Sequence, residues 1–110
     1  MSDRYRECFL HVDADDRHEV LAALSRRLGV VPDRRTLTVP GFEVDVVGND
    51  DRDAPSFLGW ATKVEVYGQS ATGPETVRFV TGLMEFLRSA GHRVVAVCDF
   101  EDELPQTDLD

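Results

Sequence analysis

The alternation of apolar and polar residues predicts strands that have one buried face. In Arg6–Val12, the residues Cys8, Leu10 and Val12 fall on one side and polar or larger residues fall on the other. Thr62–Tyr67 alternates in the same way. A period of two is typical of a strand that lies on a hydrophobic core.

Two further extended runs occupy the middle of the chain. They are Thr36–Val39 and Phe42–Val47, and Pro40-Gly41 stands between them. This dipeptide is favoured at the centre of a type II turn. The pattern therefore indicates either a short hairpin or one strand with a kink at Pro40.

Apolar residues at helical spacing predict two helices. In the first helix, Asp15 or Asp16 caps the start and Gly29 supplies the stop. Pro74 suits the first turn of the second helix. The first apolar stripe contains Val20, Leu21, Leu24 and Leu28, and the second contains Val77, Val80, Leu83, Met84 and Leu87, widened by Phe79 and Phe86.

The stretch Val94–Pro105 (VVAVCDFEDELP) begins as a strand and ends as an acidic run. The apolar side of the strand continues through Cys98 to Phe100. Both sides of its first half are apolar, which predicts a central strand and not an edge strand.

The order of these elements predicts an α+β fold. A βαβ unit at each end, with right-handed crossovers, gives an antiparallel-dominated sheet of four to five strands with both helices on one face. The ferredoxin-like βαββαβ layout or a variant of it is the simplest solution. It places the first and last strands side by side, with Arg4 and Arg6 near Asp99 and Glu101. We expect one domain, residues 1–110, with a frayed tail at 106–110.

The charge balance narrows the classes of partner. The formal net charge is −9, and residues 99–110 hold six acids and no Lys or Arg. This argues against nucleic acid, whose binding needs clustered basic residues. No apolar run is long enough to span a membrane, and the N-terminus shows no signal-peptide core, so a cytoplasmic location is expected.

An acidic surface is the leading candidate site. Acids at a strand end and in a loop could dock a basic protein, although charge runs are usually solvated. Trp60 is either an interface anchor or a core residue. The candidate residues for partner binding are Asp50, Asp51, Asp53, Trp60, Asp99, Glu101, Asp102 and Glu103.

The sequence supports a metal site or a catalytic site less well than an acidic binding surface. His11, Asp13 and His92, with Asp15 and His18 nearby, are candidate metal ligands, but their spacing is too common to be a motif. We expect no cofactor and no catalytic residues. Cys8 and Cys98 fall on neighbouring strands and are expected to be reduced core residues, although that layout also permits a disulfide.

The segments FLGWATKVEVY and CDFEDELP, in a short acidic α+β chain, resemble the small immunity proteins of bacterial polymorphic-toxin systems. They are equally similar to uncharacterised small proteins of GC-rich bacteria. No defining motif matches residue by residue, so the resemblance implies no site residue. It implies a non-enzymatic protein-binding domain that acts as an inhibitor or immunity protein. The alternatives are a homodimeric ferredoxin-like regulatory or ligand-binding module and, ranked lower, a metal-dependent enzyme.

Overall fold

The computed structural model describes residues 4–105 of the chain. The predicted frayed tail, 106–110, therefore lies outside the described residues. The elements in chain order are β1 (Glu7–Val12), α1 (Arg17–Leu28), β2 (Thr36–Val39), β3 (Phe42–Gly48), a 3-10 turn (Ser56–Gly59), β4 (Thr62–Gly68), α2 (Gly73–Ser89), β5 (Val94–Val97) and a second 3-10 turn (Glu101–Glu103).

The five strands form one sheet in the order β2-β3-β4-β1-β5, and every neighbouring pair is antiparallel. The predicted neighbourhood of the first and last strands is confirmed, because Phe9 pairs with Val97 and Val12 with Val94. β1 also pairs with β4 along its whole length. The first strand thus lies between the two strands that α2 connects.

The two predicted βαβ units are both found, and in each a third strand lies between the two parallel strands. β4 and β5 run in the same direction on either side of β1, so α2 makes the expected crossover. β1 and β3 are likewise parallel, with β4 between them, so the segment from β1 through α1 to β3 forms the other expected unit. β2 precedes β3 in this segment and adds a strand at the edge of the sheet.

Thr36–Val47 is a hairpin and not one kinked strand. Val39 pairs directly with Phe42, which leaves Pro40 and Gly41 as a two-residue turn. Gly41 has a φ of 86°, the value that the third position of a type II turn requires. A side chain at this position would strain the backbone, and glycine avoids that cost.

Local capping fixes the start of each helix. The Asp16 side chain accepts a hydrogen bond from the His18 N–H at 2.9 Å, so Asp16 and not Asp15 caps α1. Thr72 and Glu75 form a reciprocal capping box at the start of α2. Neither helix in the described range has the length and apolar character that crossing a membrane requires.

Both helices pack on the same face of the sheet, as expected. One hydrophobic cluster contains buried residues from both helices and from all five strands. On the strands this face is formed by Cys8, Leu10, Val12, Leu37, Phe42, Val44, Val46, Val64, Val66, Val94 and Ala96. One side of the sheet therefore provides the apolar burial that stabilises the fold.

The last strand lies at an edge of the sheet, so the prediction of a central strand is wrong. It also ends at Val97, although Phe100 still reaches the core and is fully buried. On the outer side, Val95 is buried while Val97 is 42% exposed. Val95 stands opposite His11, whose ring contacts Phe57 of the first 3-10 turn. This turn covers one corner of the outer face, near His11. Its presence explains why β5 has apolar residues on both of its sides although it is an edge strand.

Replacing Leu10 by alanine tests the importance of the shared core. Leu10 is fully buried between Val64 and Ala96, so we expect Leu10→Ala to lower the free energy of unfolding by about 2–5 kcal/mol. Val31→Ala is the control, because Val31 is 91% exposed and should change stability by less than about 0.5 kcal/mol. Urea unfolding measures both values. Equal losses in the two variants would contradict the description of the core.

Candidate functional site

The sheet face opposite the helices carries a group of acidic and aromatic residues. Cross-strand partners point to the same side of a sheet, so the register assigns the members of this face. We call it the acidic sheet face and define it by Glu7, Phe9, Glu43, Asp45, Glu65 and Tyr67.

Like charges lie directly opposite one another on the acidic sheet face. Asp45 pairs with Glu65 across β3 and β4, and Glu7 and Glu43 both pair with Tyr67. No ion pair among residues 4–105 includes any of these four acids. Directly opposed like charges destabilise a sheet. Their presence therefore does not follow from the needs of the fold.

Hydrogen bonds within the sheet hold two of the acids in place. The Tyr67 hydroxyl donates to Glu65 Oε1 at 3.0 Å, and the Thr36 hydroxyl donates to Asp45 Oδ1 at 2.6 Å. The Phe9 ring meets the Tyr67 ring edge to face, with centroids 6.0 Å apart. The acids thus stand on a rigid sheet beside a small aromatic pair.

Tyr67 reports the electrostatic environment of this face. Partial burial, the hydrogen bond to Glu65 and the charges of Glu65, Asp45 and Glu7 together raise the pKa of Tyr67 to about 12. Each of these causes disfavours the deprotonated, negatively charged form of the Tyr67 phenol. The surroundings of Tyr67 are therefore negative, whereas the basic residue Lys63 lies on the same side of the sheet, opposite His11.

Sequence reasoning did not identify this face as a site. The signal was present, because acids occupy the polar side of three alternating segments: Glu7 in β1, Glu43 and Asp45 in β3, and Glu65 in β4. Alternation assigns a side to each residue within one strand. It does not reveal that β3, β4 and β1 are neighbours, and that information brings the acids together.

The opposite corner of the same face is covered. Phe57 packs edge-on against His11, with ring centroids 5.3 Å apart, and against Trp60. Trp60 is only 8% exposed, and the Arg93 guanidinium lies 4.8 Å from the centre of its ring. Trp60 is thus a residue at the rim of the core, the role that the sequence favoured over that of an interface anchor.

The candidate metal ligands do not form a site. The Arg93 guanidinium donates two hydrogen bonds to Asp13 Oδ2, at 2.8 and 3.0 Å. Burial, and then the charge of Lys63, lower the pKa of His11, and its Nδ1 has no hydrogen-bond partner in the described structure. Within residues 4–105 no three His, Cys, Asp or Glu side chains are close enough to hold a metal ion. The end of the first strand does lie beside the start of the last, because Asp13 bonds to Arg93 next to His92, but His11, Asp13 and His92 do not form a group that could hold a metal ion.

The two acidic segments expected to form one surface lie at opposite ends of the sheet. Asp99, Glu101, Asp102 and Glu103 follow β5, beside the start of β1. Asp50, Asp51 and Asp53 follow β3, whose last residue pairs with Thr62 opposite the end of β1. A six-residue strand, about 20 Å long, separates the two groups.

Part of the acidic run after β5 is structural. Arg4 forms ion pairs with Asp102 at 2.7 Å and Glu103 at 3.0 Å, and the Tyr5 hydroxyl donates to Glu103 at 2.6 Å. These contacts raise the pKa of Arg4. Arg4 is thus one of the arginines expected to lie near this strand end. Asp99 and Glu101 are the acids of this run that Arg4 does not hold.

A cleft of about 460 Å³ lies on the helix side of the sheet, between α1 and β3. Arg17, Arg34 and Arg35 line it, and the Arg17 guanidinium is close-packed over Gly48. Asp50 also lines the cleft, and the adjoining hollow is lined by Asp15 and Asp16. The lining of the cleft therefore has more arginines than carboxylates, and in the adjoining hollow Arg17 and Arg52 lie with the three acids.

Comparisons with known proteins identified no relative. No protein family, no curated protein and no solved structure matched the chain.

The raised pKa of Tyr67 gives a direct test of the potential on this face. We expect Glu65→Gln to lower the pKa of Tyr67 from about 12 towards its ordinary value of 10, because the substitution removes a nearby charge. NMR of the tyrosine rings against pH measures the pKa, and Tyr5→Phe assigns the signal. Glu85→Gln makes the same charge change on α2 and should leave Tyr67 unchanged. Equal shifts in the two variants would contradict the local origin of the effect.

Proposed function

We propose that this protein is a non-enzymatic binding domain that recognises a basic protein through its acidic sheet face. The observation that carries the proposal is the pairing of Asp45 with Glu65 on an uncovered face that contains no balancing ion pair within residues 4–105. An arrangement that costs free energy in the isolated domain becomes favourable when Arg or Lys residues of a partner lie over it.

The composition of this face favours a protein partner. Phe9 and Tyr67 supply an edge-to-face aromatic pair between the acids, and exposed Val97 extends the apolar part of the face. Aromatic residues at the centre of a contact with charged residues around it are typical of protein interfaces. The acids would meet the basic residues of the partner, and the rings would pack against its apolar surface.

The charge of the face disfavours the homodimeric alternative. A second copy related by two-fold symmetry would bring four carboxylates against the same four carboxylates. Opposing charges of the same sign across an interface cost several kcal/mol. We therefore expect a monomer by size exclusion with light scattering.

Two finer proposals remain consistent with this reading. An inhibitor or immunity protein could use an acidic face to block a basic cleft of an enzyme, as the resemblance to polymorphic-toxin systems implies. The fold is proposed to be a variant of the ferredoxin-like layout, on the basis of the unit β4–α2–β5 with β1 between its two strands.

Charge-matched variants test which acidic group binds the partner. The immobilised protein is used to capture partners from a bacterial lysate at low salt, and the retained protein is purified for affinity measurement. We expect a basic protein whose affinity falls at least about tenfold, or about 1.4 kcal/mol, in the triple variant Glu43→Gln, Asp45→Asn and Glu65→Gln. Raising the salt concentration should also weaken binding to the unmodified domain.

The control is the triple variant Asp50→Asn, Asp51→Asn and Asp53→Asn, which removes the same charge at the other end of the sheet. It should retain nearly full affinity. If this variant loses the partner while the first keeps it, the acidic loop is the site and the proposal for the sheet face is wrong. Capture of no basic protein would also contradict the proposal.

A further inference from the structure

The two cysteines of the protein occupy facing positions on neighbouring strands. Phe9 of β1 pairs with Val97 of β5 in an antiparallel register. Continuing this register by one residue sets Cys8 opposite Cys98, the residue directly after β5. Both are reduced thiols in the structure, and both pack against the core on the helix side of the sheet.

The hydrogen-bond pattern determines the spacing of this pair. The Asp13 N–H donates to the Arg93 carbonyl at 2.9 Å, so these two residues form a hydrogen-bonded pair. Bonded and non-bonded pairs alternate along an antiparallel ladder, which makes the Cys8–Cys98 pair non-bonded. Cα atoms are about 4.5 Å apart in such pairs, within the range of about 4.4–6.8 Å that a disulfide spans.

The two thiols differ in their access to solvent. Cys8 is only 1% exposed, whereas Cys98 is partly exposed and lines a surface hollow of about 430 Å³ with Arg4 and Arg6. A small oxidant can therefore reach Cys98 and not Cys8. Because β5 is an edge strand that ends at Val97, no further strand within residues 4–105 lies beside Cys98.

The two thiols also differ in acidity. A hydrogen bond from the Cys8 thiol lowers the pKa of Cys98, and the Phe100 N–H acts in the same direction, against burial and the charges of Glu101 and Asp99. The same hydrogen bond, with burial, raises the pKa of Cys8. The accessible sulfur is thus the better thiolate, and the buried sulfur keeps its proton.

We propose that Cys8 and Cys98 form a reversible oxidation site at which a hydroperoxide converts the facing thiols into an intramolecular disulfide. The Cys98 thiolate attacks the hydroperoxide, an S–O bond forms as the O–O bond breaks, and the leaving oxygen takes a proton to become an alcohol or water. The sulfur atom loses two electrons to the peroxide and becomes a sulfenic acid.

The second step closes the bridge. The Cys8 sulfur attacks Cys98 Sγ, an S–S bond forms as the S–O bond breaks, and the hydroxide leaves with the Cys8 proton as water. A dithiol reductant reverses the reaction by thiol–disulfide exchange, in which the reductant is oxidised to its own disulfide. The bridge would tie the first strand to the end of the last and close a loop that contains nearly the whole chain.

Mass spectrometry of the folded protein tests this proposal. Treatment with a small excess of hydrogen peroxide should remove two hydrogen atoms from the intact mass, link the peptides of Cys8 and Cys98, and protect both from alkylation. The oxidised protein should melt at a higher temperature than the reduced protein, because the bridge constrains the unfolded chain. A dithiol reductant should restore the original mass and melting temperature.

Single substitutions separate the roles of the two sulfurs. In Cys8→Ser, we expect a Cys98 sulfenic acid that dimedone traps; in Cys98→Ser, we expect Cys8 to stay reduced at the same peroxide dose. Circular dichroism checks that each variant is folded, and the peptide map of the unmodified protein decides the question if one is not. Oxidation of Cys98 without a bridge to Cys8, a bridge between two molecules, or no reaction of the folded protein would overturn the proposal.

Discussion

The pairing of β1 with β4 on one side and with β5 on the other is the interaction on which the rest of this protein depends. It places the beginning of the chain between two strands from the second half, so α2 must cross over β1 to connect them. The same pairing brings Arg4 next to Glu103 and sets Cys8 opposite Cys98. One pairing of strands therefore accounts for three features. They are the strand order at the centre of the sheet, the ion pairs of Arg4 and the proposed oxidation site.

The sheet has two faces with different physical roles. One face buries its apolar residues under both helices, and loss of a single large side chain such as Leu10 removes about 2–5 kcal/mol of stability. The other face opposes Asp45 to Glu65, which costs at most about 1 kcal/mol for a directly opposed pair. Because the first contribution is much larger, the fold tolerates the repulsion. The proposed binding role of these acids is therefore compatible with a stable folded state.

Much of the fold could be predicted from the sequence, because the local periods are strong. Alternation in Arg6–Val12 and the apolar stripes of both helices located these elements, and the pairing of the first and last strands followed from the predicted layout. The predicted central position of β5 was wrong because its outer residue Val95 is buried at an edge of the sheet, opposite His11, whose ring contacts Phe57 of a 3-10 turn. The acidic sheet face was missed, and the two acidic segments were wrongly joined, because both depend on strand order. One strand's alternation contains no information on which strand lies beside it.

One measurement tests directly whether the acids of the acidic sheet face serve binding and not folding. It is the free energy of unfolding in urea of the triple variant Glu43→Gln, Asp45→Asn and Glu65→Gln. The amide side chains keep an oxygen acceptor for the hydroxyls of Thr36 and Tyr67, while the repulsion between charges is removed. The account predicts a free energy of unfolding equal to or higher than that of the unmodified protein. A decrease of more than about 1 kcal/mol would show that these acids stabilise the fold, and would contradict the account.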